Sequence, residues 1–217
     1  MKNIPRIFIG NDISSGMIIP LSRDMEHYLK HVMRTTSAIV FGGGHEFNAT
    51  TDATGKNIVV GNDTGRIDPA NNITLYFAPI KRTDDLINMA TQMGVKKLVP
   101  VITEHTNTPH INWERMKKIA IEAAEQSNRN SVPEISTPIK FAEIDLSKIA
   151  FADERAAHGK KCPATTKIDS ILVGPEGGFS NLEFDALDNA GAIGISLGAT
   201  VLRAELAAAI AIAHITK

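Results

Sequence analysis

The spacing of apolar positions changes near residue 70. Before it, short apolar runs at residues 7–9, 17–19, 38–41 and 58–60 are separated by Gly10-Asn11-Asp12, Gly42-Gly43-Gly44 and Gly61-Asn62-Asp63. Short strands punctuated by turn signals predict a small β-barrel or sandwich. One helix interrupts them over residues 22–33, with Met25, Tyr28, Leu29 and Val32 at helical spacing and Ser22 as N-cap. The polar, turn-rich stretch 63–72 reads as a linker. It divides the chain into a first domain over residues 1–70 and a second over 71–217.

After residue 72 the pattern alternates β and α. Residues 73–79 predict a buried strand, and 83–94 a helix with Thr83 as N-cap, Asp84 and Asp85 at its positive end and Gly94 closing it. A strand is expected at 97–102 and a helix at 112–129, with Trp113, Met116, Ile119, Ala120 and Ala123 on one face. Strands follow at 149–152 and 169–173, a helix at 180–190, and a strand at 194–197. The final helix, 203–216, is so Ala-rich and apolar all round that it must be covered on most sides. Strands alternating with helices imply an α/β fold: a mostly parallel sheet with helices on both faces. The polar, basic segment 156–167 reads as an exposed loop.

Composition narrows the function classes. Hydrophobic residues are 43% and charged residues 22% of 217, which suits a chain that buries a core. Twenty-three Lys+Arg against 24 Asp+Glu leave no global basic field. A local basic face remains open, because phosphate responds to clustering rather than to the sum. Cys162 is the only cysteine, so an intrachain disulfide is excluded and a reducing cytoplasm is expected. Residues 1–10 lack the apolar core of a signal peptide, and the most apolar stretch, 206–213, is too short to span a bilayer. The histidines, among them His27, His31, His105 and His110, lack metal-ligand spacing, and no metal is expected.

Two stretches carry chemistry. In the first, an apolar strand runs into Gly174-Pro175-Glu176-Gly177-Gly178, and Ser180 and Glu183 have the spacing of a helix capping box. Ligands of open α/β sheets sit beyond the carboxyl ends of strands, and glycines there expose main-chain N–H groups. The alternative is a tight connection with no ligand. The segment fits neither the dinucleotide fingerprint nor the P-loop, and the chain holds no nucleophile elbow or zinc-protease motif. The second stretch, Ser196 to Ala207, repeats the order of strand end, glycine, loop and helix, with Arg203 and Glu205 at the helix start. Either Glu205 complements the helix end while Arg203 lies in solvent, or Arg203 points into a cleft shared with the first loop.

Taken together, Gly174-Pro-Glu-Gly-Gly-Phe-Ser180, Leu197-Gly198, Leu202-Arg203 and Glu205 resemble the RsmE family of 16S ribosomal RNA uridine N3-methyltransferases, in the SPOUT superfamily. Arg6-Ile-Phe8, His31-Val-Met-Arg34, Lys81, Pro100, Glu122 to Ser127 and Arg129 extend the similarity along the chain. The resemblance implies a small PUA-like β-barrel that helps bind RNA, then an α/β domain tied in a trefoil knot. It implies S-adenosyl-L-methionine in the knot, held by Ala78, Pro79, Leu172, Gly174, Gly177, Gly178, Leu197, Gly198 and Leu202. Arg203 and Glu176 are the implied catalytic residues, and Arg6, Arg34, Lys81 and Arg129 the implied RNA contacts. The implied partners are 16S rRNA of the small ribosomal subunit and a second copy in a homodimer. Met89, Gln92, His105 and Leu206 depart from the family pattern, and two of them stand where the family carries positive charge. Two other readings compete: a non-catalytic RNA-binding or assembly protein on this scaffold, and an enzyme acting on a ribose 2′-hydroxyl of tRNA.

Overall fold

A computed structural model describes residues 4–69, 72–107, 112–162 and 168–215. The chain forms two compact units. One comprises residues 1–70 with 124–132, and the other residues 71–123 with 133–217.

The first unit is built on β1 (Arg6–Phe8), β2 (Ile18–Pro20), β3 (Ser37–Gly42), β4 (His45–Thr51) and β5 (Asn57–Ile67), in the spatial order β1-β3-β4-β5-β2. Only the β1–β3 pair is parallel. Ile7, Val40, Phe47, Ile58 and Val60 form its core with Leu29 of the helical segment. That segment begins as α1 (Arg23–His27), capped by Ser22, whose Oγ accepts the Met25 N–H. It widens into a π-helical stretch, Tyr28–Met33, and ends at Arg34 in the left-handed region, φ 51°. The linker expected over 63–72 is not one in its first half, because Asp63 to Ile67 continue β5. Local hydrogen bonds explain a strand of such polar composition. Asp63 accepts the Gly65 N–H, and Thr64 donates to Glu46 of the paired strand. Residues 70 and 71 lie outside the described ones. β4 was also absent from the sequence pattern, since its buried positions include Glu46 beside Phe47.

The second unit contains β6 (Thr74–Phe77), α2 (Thr83–Gln92), β7 (Lys97–Ile102), most of α3 (Trp113–Gln126), β8 (Glu134–Ile135), β9 (Ile139–Lys140), β10 (Ala150–Ala152), β11 (Ser170–Val173), α4 (Asn181–Asn189), β12 (Ile193–Ile195) and α5 (Ala204–Ile215). Its sheet runs β12-β10-β11-β6-β7-β8, with β9 also on β7, and every pair is parallel. Parallel strands are covered by other elements, which is why they read as continuous apolar runs. Leu75, Phe77, Leu98, Val101, Ile171 and Leu172 are fully buried. Phe184 and Leu187 of α4 pack with Leu172 and Phe151, while α5 packs on β10, β11 and α2. The expected cover over the last helix is present: Ala204, Ala207, Ala208, Ala211 and Ile212 are buried.

Two local expectations are corrected. Arg82, not Thr83, is the N-cap of α2, because the Thr83 hydroxyl is engaged by the Ile80 main chain through both N–H and C=O. The 156–167 segment, expected as a loop, begins inside a 3₁₀ turn, Glu154–His158, that Gly159 closes at φ 98°. Residues 163–167 lie outside the described ones.

Candidate functional site

Three adjacent parallel strands, β12, β10 and β11, end at the same edge of the sheet, and each feeds a loop. After β11, Gly178 donates to the Pro175 carbonyl (3.0 Å) in a tight turn. Ser180 then caps α4 in a full capping box, accepting the Glu183 N–H at 3.3 Å while Glu183 accepts the Ser180 N–H at 2.9 Å. The other Glu183 oxygen takes the Glu104 N–H at 2.9 Å, which ties the loop after β7 to the start of α4. Gly174 lies flat against the Phe179 ring, 3.2 Å from where a Cβ would stand. After β12, Leu197 to Arg203 lead into α5, with Gly198 at φ 130°. After β10 comes Asp153-Glu154.

These loops enclose a cavity of about 300 Å³, a size found for small-molecule sites. Gly174, Glu176 and Gly178 from the first turn and Leu197, Gly198, Leu202 and Arg203 from the second line it. The two glycine-bearing stretches that the sequence singles out are therefore walls of one pocket. Arg203 is exposed, and its guanidinium has no partner among the described residues. Glu205, two residues on, is buried and pairs with Arg82 at 3.3 Å. Glu176 accepts the Lys81 main-chain N–H at 3.1 Å, binding the glycine turn to the segment after β6.

Other expected residues sit around the pocket rather than on it. Leu172 is fully buried in the core below. Ala78 donates its N–H to the Val173 carbonyl, and Pro79 is buried beside it, so both buttress the base of the turn. Gly177 does not line the pocket. Its carbonyl and that of Gly178 both lie 3.2 Å from Nδ1 of His105. Two acceptors there require Nδ1 to carry a proton. His105, a departure from the family pattern, thus clamps the glycine turn.

The sequence reading missed the third wall, made by Ala152, Asp153, Glu154 and Ala157. Two acids directly after a predicted strand were the available signal, by the same strand-end rule that picked out the glycine turns. The Asp153 carboxyl is fully buried and meets Arg155 through Nε and Nη2, each at 2.8 Å, and Lys160 at 3.0 Å. Burial alone would raise its pKa, but these hydrogen bonds and charges overcome that and hold it below the ordinary carboxylate value. The same two cations hold Asp188 at about 2. Arg155 also stacks over the Phe184 ring, 4.0 Å from its centre. Glu154 has no ion-pair or hydrogen-bond partner among the described residues.

The expected RNA contacts fare unequally. In the first unit, Arg6 is nearly buried and committed to Glu46 (2.5 Å), Asn130 (2.7 Å) and the Arg129 carbonyl (3.0 Å). Arg129 is likewise enclosed and pairs with Asp68 at 3.3 Å. Both charges are neutralised internally, with hydrogen-bonded acids as partners. Arg34 is exposed on a second cleft of that unit, with Lys30 and Thr36. Lys81 is exposed in the second unit.

A parallel α/β unit with a pocket at the carboxyl ends of its strands has its cavity where open α/β sheets bind ligands. Comparison with known proteins makes the assignment specific. Residues 68–216 match the model of the RNA methyltransferase domain. The chain is 34% identical to the ribosomal RNA small subunit methyltransferase E of Rickettsia conorii, over 97% of this chain and 94% of that protein. Among solved structures, a ribosomal RNA small subunit methyltransferase E from Neisseria gonorrhoeae, bound to S-adenosyl methionine, superposes with a TM-score of 0.81 at 26% identity. That match covers 97% of this chain and 96% of the other. A probable rRNA-methyltransferase from Porphyromonas gingivalis matches equally well, with TM-score 0.81 and 26% identity over 98% and 97% of the two chains. The chain belongs to the RNA methyltransferase domain family and, within it, to the ribosomal RNA small subunit methyltransferase E family.

Proposed function

We propose that this protein transfers a methyl group from S-adenosylmethionine to N3 of a uridine in 16S rRNA of the small ribosomal subunit. The observation that carries the reading is the meeting of two glycine turns, distant in sequence, around one cavity at the carboxyl ends of β10, β11 and β12. The residues present suit the donor. Apolar walls from Val173, Phe179 and Ala207 offer contact area, and the turns offer main-chain N–H and C=O groups without intervening side chains. A Cβ on Gly178 would collide with the Glu154 carboxylate. Gly174, Gly178, Leu197, Gly198 and Leu202 would hold the donor, with Ala78, Pro79, Leu172 and Gly177 supporting them from behind.

When bound, S-adenosylmethionine supplies an electrophilic methyl on a sulfonium. The protein's part is to align the uridine and to manage the N3 proton. Alignment alone accounts for up to roughly 7–11 kcal/mol in ideal cases. Arg203, a cation on the pocket wall with no partner among the described residues, stabilises negative charge that develops on the base oxygens as N3 loses its proton. A well-placed donor of this kind contributes about 3 kcal/mol. Glu176 holds the turn through the Lys81 N–H. Its second oxygen faces no donor among the described residues, which leaves it to accept a proton.

The same reading assigns residues 1–70, as a PUA-like barrel, to RNA binding, and gives residues 71–217 a SPOUT trefoil knot. It makes the protein a cytoplasmic homodimer. No helix among the described residues is long and apolar enough to cross a membrane. Arg34 and Lys81 carry the RNA contact, since Arg6 and Arg129 spend their charge internally. The deciding experiment is mass mapping of 16S rRNA from cells lacking the protein, before and after incubation of their small subunits with it and labelled donor. One N3-methyluridine, absent and then restored, is the expected result. A label appearing on a ribose or on no RNA removes the proposal.

A further inference from the structure

Sorting the charged groups on the pocket wall by what already neutralises them leaves an asymmetry. Asp153 is saturated by Arg155 and Lys160. Glu176 is turned to the Lys81 N–H. Arg203, at the start of α5, has no partner among the described residues. Glu154 is the remaining acid, with no cation and no donor among the described residues. Its carboxylate rests directly on the backbone of Gly178, whose φ of 69° and missing side chain both make room for it. Around it the wall is apolar, formed by Ala152, Ala157 and Phe179. A ligand filling the cavity would displace water from these surfaces, and charge–charge interaction strengthens as water leaves.

We infer that Glu154 is a specificity-determining residue that reads the positive charge of the methyl donor, favouring charged S-adenosylmethionine over its uncharged thioether product. The inference rests on the reading that the cavity takes the donor. S-adenosylmethionine and S-adenosylhomocysteine differ by one methyl and one charge, and both carry the same ammonium, carboxylate and nucleoside. A carboxylate that responds to the sulfonium therefore separates them, whereas one that binds the ammonium or ribose treats them alike. A sulfonium offers no N–H, so it asks for negative charge without hydrogen-bond geometry. An unpartnered carboxylate against a glycine provides that. After transfer the attraction vanishes, and the spent product is released more readily.

The test is calorimetric binding of S-adenosylmethionine and S-adenosylhomocysteine to the full-length protein and to Glu154→Gln and Glu154→Asp variants, with no RNA present. Expected for Glu154→Gln is a loss of about tenfold in affinity for S-adenosylmethionine, with less than a twofold change for S-adenosylhomocysteine. Glu154→Asp, which keeps the charge, should retain a larger part of the preference. Glu154 is exposed, and an unchanged melting temperature of the ligand-free variants reports intact folding. Equal losses for both ligands, or no loss for either, overturn the inference while leaving the pocket assignment in place. Binding of neither ligand to the unmodified protein removes the pocket assignment, and the inference with it.

Discussion

Arg203 and Arg6 illustrate how the same residue type takes opposite roles according to what surrounds it. Arg203 pairs with no acid among the described residues, so its charge is available to whatever enters the cavity. Arg203→Ala should lower kcat by about a hundredfold with little change in donor affinity, measured by single-turnover methylation and calorimetry; matched losses would make it a donor-holding residue. Arg6 is enclosed with Glu46, which also pairs with Arg66 and accepts from Thr64, so removing Arg6 takes away one of two cations from a buried carboxylate. Arg6→Ala should cost about 2–3 kcal/mol in urea unfolding, the loss of a charge-assisted hydrogen bond. Arg34→Ala, at an exposed position, should leave stability unchanged and weaken RNA binding. The acid cluster of Asp153 and Asp188 adds a pH dependence whose sign follows from depressed folded-state values. Unfolded carboxylates titrate near 3.8, while folded Asp188 titrates at about 2. As pH falls below about 4 the unfolded chain takes up protons first, so stability present at neutral pH is progressively lost toward pH 2. Denaturation at pH 6, 4 and 3 should show this fall, and Arg155→Gln should flatten it.

Among the elements, those with a strong apolar period were legible, and those held by polar side chains were not. β7, β11 and α5 follow from runs such as Leu98 to Ile102 and from the Ala-rich last helix, because burial between layers demands that composition. The second half of β5 carries Asp63, Thr64 and Arg66, and its order comes from partners on β4 and at Asn130. No local pattern announces such pairings. β8 and β9, two residues each, exist only as parallel extensions on β7. The capping box at Ser180 was legible, and the structure gives it a second duty, since Glu183 also binds the loop after β7. Ser180→Ala should therefore destabilise the protein by about 1 kcal/mol or somewhat more, read by thermal unfolding, and should weaken donor binding by loosening the turn that α4 anchors. Unchanged binding would mean that the turn is held without its cap.

For the molecule as a whole, the strand-end rule and the glycine turns point from the sequence alone to the sheet edge where the pocket lies. Two of its three walls were named. The third escaped because Asp153-Glu154 follows a three-residue strand and carries no glycine to mark it. The clamp by His105 escaped as well, since a lone histidine after β7 has no pattern that ties it to Gly177, 72 residues on. The RNA contacts were least legible. Composition shows that arginines exist, and only the fold shows which acids lie beside them.

The order of strands has a further consequence for biosynthesis. Thr74–Phe77 waits for Ser170–Val173 as its neighbour, and β10 lies beyond that strand, so the middle of the sheet is laid down late. A nascent chain that has cleared the ribosome only as far as β10 holds an open-edged fragment with no place for a nucleoside. Binding competence should switch on in one step as residues 197–207 emerge, and ribosome-arrested lengths on either side of that segment would show it.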